Sequence, residues 1–143
     1  MRLAILATCL ALAAISSASA APIVPAAPLV FDIEAHQSTL PGDTVGAVGS
    51  RIVWADRLLQ NGAAVGADSG ICTATGADVF TCSVVFLLPG GTLSSVFAYD
   101  ETGALTSGSD LPLFGGTGAY AGKTGTATHA LAAGTATLTI TLN

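Results

Sequence analysis

The stretch "LVFDIEAH", Leu29 to His36, sets three titratable side chains two residues apart: Asp32, Glu34 and His36. In an extended strand, residues two apart share a face at a spacing of about 7 Å. The three polar groups then line one side, and Leu29, Phe31, Ile33 and Ala35 line the other. Turned into an enclosed apolar space, the polar side would hold carboxyls whose pKa desolvation raises, giving an acid or base in a dry cavity. Asp32 and Glu34 are on that basis the candidate catalytic residues. The same alternation equally describes the wet face of an ordinary amphipathic strand, and both readings stand.

A second chemical signal is "GGTGAYAGKT", Gly115 to Thr124. Gly116, Gly118 and Ala121 have the spacing of a dinucleotide fingerprint, and Gly122-Lys123-Thr124 has the ending of a P-loop. A P-loop also needs glycine at position 117, where Thr117 stands. Both motifs need a following helix whose N-terminus holds the phosphate, whereas "GTATH" reads as a strand. The segment is therefore a strand-to-strand turn with glycines supplying positive φ, and no nucleotide is expected. His36 and His129 have no partner set for zinc and no Gly-x-Ser-x-Gly motif occurs, so neither a metal nor another cofactor is expected.

The frame around these groups is that of an exported chain. Arg2, the apolar run Leu3 to Ile15 and the small-x-small triplet Ala18-Ser19-Ala20 form a signal peptide over residues 1–20. The run is shorter than the roughly 20 residues that span a bilayer. No second span follows it, so no stable membrane insertion is expected after cleavage and the product is secreted. Loss of Arg2 takes the formal charge from −5 to −6. Such a surface does not suit nucleic acid, whose affinity comes from neutralised phosphates. Residues 21–28 form an Ala/Pro-rich arm, and 29–143 form one domain.

Cys72 and Cys82 remain as a pair in "ICTATGADVFTC". A hairpin with Gly76-Ala77-Asp78 as its loop puts 75 opposite 79, 74 opposite 80, and 72 opposite 82. This geometry and the export signal predict a cross-strand disulfide.

Strands must position all of these residues, because helical periodicity is almost absent and period-2 alternation recurs. Ser50 to Leu59 places Ile52, Trp54, Asp56 and Leu58 on one side. The second arm of the cysteine hairpin places Phe80, Cys82, Val84, Phe86 and Leu88 together. Further strands run over Thr92 to Tyr99, Leu111 to Phe114, Thr124 to Leu131 and Thr135 to Leu142. About eight strands with Gly-rich turns and no covering helix predict an all-β, eight-stranded antiparallel up-and-down barrel, with a β-sandwich as the alternative. Trp54, Phe86 and Tyr99, with Phe97, could line a ligand cavity or form plain core.

The run "LFGGTGAYAG", Leu113 to Gly122, resembles the glycine signature of dirigent proteins and of the allene oxide cyclase barrel superfamily. "PGDTVG" at Pro41 to Gly46, and "GIC" followed by a second cysteine and "LPGG", resemble further segments of its bacterial exported members. The resemblance covers roughly Leu29 to Leu142 and implies an eight-stranded barrel, often trimeric. It implies a cofactor-free cyclase or isomerase acting on a small apolar molecule. A non-catalytic extracellular carrier of a hydrophobic ligand and a structural barrel are the alternatives. The catalytic Glu and water-holding Asn of allene oxide cyclases fall on Asp32 and Glu34. The arginines of the dirigent signature fall on Ala121 and Thr124.

Overall fold

Alternation is strictest at the end of the chain, where Ala136, Leu138, Ile140 and Leu142 alternate with four threonines. The stiff β-branch and hydrated hydroxyl of Thr suit the outer face of a pleated sheet. The segment forms the last strand of a computed structural model that describes residues 27–34, 37–39, 47–76, 79–100, 110–132 and 135–143. The expected signal peptide, residues 21–26 of the arm, "PGDTVG" and His36 lie outside the described residues.

The strands in chain order are β1 (Leu29–Glu34), β2 (Gln37–Thr39), β3 (Arg51–Gln60), β4 (Ala63–Gly76), β5 (Val79–Leu88), β6 (Gly91–Asp100), β7 (Asp110–Gly118), β8 (Thr124–Ala132) and β9 (Thr135–Leu142). Each pairs antiparallel with the next from β3 to β9. β1 closes the sheet, with Phe31 opposite Leu138 of β9 and Ile33 opposite Leu58 of β3. Glu34 faces Arg57 and Gln37 faces Trp54, so β2 continues the register of β1 along β3. Nine segments thus make eight staves of a closed antiparallel barrel. Closure removes the free edges that a sandwich would keep.

Two elements run further than local sequence suggests. β4 covers 14 residues, although "AAVGADSG" is poor in strand formers, because pairing to β3 and β5 holds it on both sides. Gly115 to Gly118 belong to β7 rather than to a turn. The turn itself is Ala119 to Lys123, and Gly118 enters it at φ 62°, a conformation that side chains resist. Tyr120 folds back over this turn and donates its hydroxyl to the Pro89 carbonyl at 3.0 Å, tying the β7–β8 turn to the β5–β6 turn.

Inward positions of all staves supply the core. Phe31, Leu58, Phe86, Leu93, Leu138 and Ile140 are among its buried members. Cys72 and Cys82 are directly paired and disulfide-bonded, in a second cluster with Ala74 and Phe80 near the opposite rim. The hairpin register agrees with the expected one at 72–82 and 74–80. It shifts beyond Ala74, so that Val79 faces Gly76 instead of Thr75.

Candidate functional site

Between the two apolar clusters lies a polar band on the inner wall. On β3 the inward residues are Ile52, Trp54, Asp56 and Leu58, in the parity set by fully buried Leu58. On β4, counting back in steps of two from Cys72 reaches Gly70 and then Asp68, which is 2% exposed. The register sets Trp54 opposite Gly70 and Asp56 opposite Asp68. A side chain at position 70 would collide with the six-membered ring of Trp54, so glycine there makes room for the indole. Trp54 donates its Nε1–H to Asp68 Oδ1 at 3.1 Å.

Burial pushes the Asp68 carboxyl up to about 7, and the facing Asp56 carboxylate adds to the rise, while the Trp54 hydrogen bond opposes it. A buried acid resists ionising because its charge loses hydration, and a neighbouring negative charge raises that penalty. On β8, His129 points into the same interior. Burial lowers its pKa, and the Asp56 carboxylate counteracts part of that. The Oγ of Ser95 on β6, fully buried, and the Nδ1 of His129 have no hydrogen-bond partner within the described protein. Most buried polar atoms in folded proteins are partnered, so these two are positions at which a bound molecule could be recognised. Trp54, Asp56, Phe97 and His129 all point inward yet keep partial accessibility, unlike the fully buried Phe86 and Leu93.

The structure distributes the sequence-derived candidates differently. Asp32 and Glu34 are exposed on the outer face, because Phe31, 2% exposed, sets the inward parity of β1. Glu34 accepts a 3.5 Å hydrogen bond from Arg57 Nη1 across β1 and β3, with both side chains more than half exposed. The enclosed position expected of this pair is held instead by Asp68. Trp54 stands in the polar band. Phe86 is fully buried directly opposite Asp68 and forms its apolar floor. Tyr99 pairs with Phe80, but its side chain lies outside the described residues. Asp68 is the residue that motif reasoning misses. The signal was present in the two-residue parity running back from Cys72, and in a partner strand that brings Asp56 opposite.

The fold and the band define a class: a closed eight-stranded antiparallel barrel with titratable groups on its inner wall. No family model matches the chain and no curated protein matches it. Solved structures do share the fold. A pyocyanin demethylase superposes with a TM-score of 0.69 at 22% identity, over 82% of this chain and all of the other. A nonspecific heme-binding cyclase that catalyses [4 + 2] cycloaddition during neoabyssomicin biosynthesis has a TM-score of 0.65 at 16% identity. So does the Diels Alderase AbmU from Streptomyces koyangensis, and in both cases 81% of this chain matches 63% of the other. At such identities the shared property is the fold, and function must be argued from the site.

Proposed function

We propose that the protein is an exported barrel that holds a small, largely apolar molecule in its interior and acts on it by acid–base chemistry without a cofactor, as a cyclase or isomerase. The observation that carries this reading is Asp68: a buried carboxyl near neutrality, held by the Trp54 N–H and facing Asp56. A carboxyl with its pKa near the working pH can both give and take a proton. Trp54 fixes its rotamer, the apolar wall from Phe86 excludes water, and confinement of a flexible substrate supplies orientation. The resemblance to the allene oxide cyclase and dirigent superfamily supports the same reading. So does the occurrence of a demethylase and a [4 + 2] cyclase on this fold. Asp32 and Glu34 lie outside the barrel, and the acid–base role is assigned to Asp68 instead. Export and a homotrimeric state belong to the same proposal, on the strength of the leader and of the resemblance.

Trp54 is the chain's single tryptophan, so its emission reports on the interior. A neutral apolar probe such as N-phenyl-1-naphthylamine should quench it saturably. Asp68→Asn should keep that binding while lowering turnover of any accepted substrate by about 10²-fold or more. Full turnover in Asp68→Asn would remove the proposed chemistry.

A further inference from the structure

We propose that the uncharged outer face of β4, β5 and β6 is where copies of this chain meet. This rests on the homotrimeric state proposed above, and it adds which surface the copies share.

The outer wall of the barrel is divided by charge. Outward positions run from Ala67 to Thr75 on β4, from Val79 to Leu87 on β5 and from Thr92 to Ala98 on β6, and none of them carries a charged residue. Among the described side chains the outward charges lie elsewhere: Asp32 and Glu34 on β1, Arg51 and Arg57 on β3, Asp110 at the start of β7 and Lys123 in the turn after it. The uncharged face also collects exposed apolar groups. Val79, Val85, Leu87, Val96 and Phe114, on β5 to β7, are five of the seven large hydrophobic side chains exposed among the described residues. The register brings four of them together. Val85 lies across Ser94 from Phe114, Leu87 is two places further along β5, and Val96 is two places from Ser94 on β6. A contiguous apolar patch on an otherwise polar wall marks a contact site.

Beside that group, on the side of the disulfide hairpin, the face dips into a hollow of about 390 Å³ lined by Ile71, Thr73, Thr75, Thr81, Ser83 and Val96. One face therefore offers both halves of a contact, bulky apolar side chains and a hollow with apolar and hydroxyl walls. A contact between two different patches repeats from copy to copy until a ring closes. Charge points to a second copy as the occupant. The chain carries a formal charge of −5, so copies repel where their acidic surfaces approach, and on this face they come together without charge against charge. The extent fits as well. Four neighbouring strands of about ten residues cover roughly 600 Å² in projection, the scale of the roughly 800 Å² of accessible surface that each partner gives to a stable interface. An anionic membrane suits the face less, because basic residues at the contact are what it attracts, and the described ones lie on β3 and in the turn after β7.

The full chain without its leader is sized by light scattering after gel filtration. The wild type is expected at three times the mass of one chain, and Leu87→Glu/Val96→Glu at the mass of one. Val30→Glu places the same charge on the exposed outer side of β1 and should leave three chains together. Should the glutamate double variant not fold, Val85→Thr/Leu87→Thr/Val96→Thr keeps residue types that suit strands. It should weaken self-association, followed by sedimentation on dilution, by about tenfold or more. A wild-type assembly that survives both the glutamate and the threonine substitutions overturns the proposed face and leaves the homotrimer standing. A wild type that assembles in another number and falls apart with these substitutions overturns the homotrimer and keeps the face. A monomeric wild type overturns both, and flotation with phosphatidylcholine vesicles, blocked by the glutamates, would then give the face to a membrane.

Discussion

The two halves of the barrel interior are lined by the same alternating strands and filled on different terms. Toward the β5–β6 and β7–β8 turns, the inward positions are Leu88, Leu93, Leu113 and Tyr120, all buried. Further along, before the buried cluster of Cys72, Ala74, Phe80 and Cys82 near the other rim, they become Trp54, Asp56, Asp68, Ser95, Phe97 and His129. Parity does not change between the halves; only the residue types do. The first half is what closure of a small barrel demands, since side chains must fill its interior at crystal-like density. The second half carries two facing carboxyls and two unpartnered buried polar atoms, an arrangement that stability alone does not explain. Departures of this kind from consistent packing are where function is expected.

The contrast can be broken most sharply at Phe86, the fully buried floor on which the band meets the packed half. Phe86→Ala should lower unfolding free energy by about 3–5 kcal/mol, read from denaturant melts. Trp54→Ala in the band should lower it by clearly less, because its ring is only partly buried. Comparable losses would show that the two halves are equally packed.

Next in size is the disulfide. Replacing Cys72 and Cys82 with alanine should lower stability by about 2–3 kcal/mol, the value expected for closing a short loop. Reduction of the wild type should raise its mass by about two hydrogens and produce a similar loss. No change in mass would mean that the pair is unlinked in the expressed protein.

The pH dependence of stability tests Asp68 itself. Its folded carboxyl titrates near 7, well above the ordinary value of 3.8. Between those limits the folded state holds a proton that the unfolded state has released, so this group makes stability fall as pH rises from about 4 to about 7, then level off. His129 acts in the opposite sense just below its ordinary 6.5, since burial keeps it neutral in the folded state. Asp68→Asn should therefore remove the decline toward pH 7 and leave the His129 contribution. An unaltered pH profile in that variant would place Asp68 in water.

Smallest of all should be the effect of Asp32→Asn with Glu34→Gln. Exposed side chains, one in a loose ion pair with Arg57, contribute little, and Tm should move by less than about 3 °C. A large loss of stability or ligand binding would relocate the site to the outer face.

Much of the fold was legible. The alternation in β5 and β9, the facing cysteines and the turn-forming glycines lead to an all-antiparallel β chain, because each is a local property of an extended chain, and closure decides for the barrel over the sandwich. β4 was hidden for the opposite reason. "AAVGADSG" has no strand preference of its own, and its conformation comes from neighbours on both sides. The site was hidden along with it. Asp32 and Glu34 drew notice as titratable groups on one strand face, whereas Asp68 sits among alanines and glycines and looks like part of a loop.

The sequence by itself determined the period of the strands, the pairing of Cys72 with Cys82, and the parity within a strand that separates Phe31 from Glu34 and Leu58 from Arg57. It could not determine which surface is the inside of a closed barrel for a strand with mixed faces, since that depends on how distant strands curve and join. Closure of β1 onto both β3 and β9 settled that question. It turned Asp32 and Glu34 to water, and it brought Asp56, Asp68 and His129 from three strands into one interior, where low hydration makes a carboxyl chemically different from the same group outside.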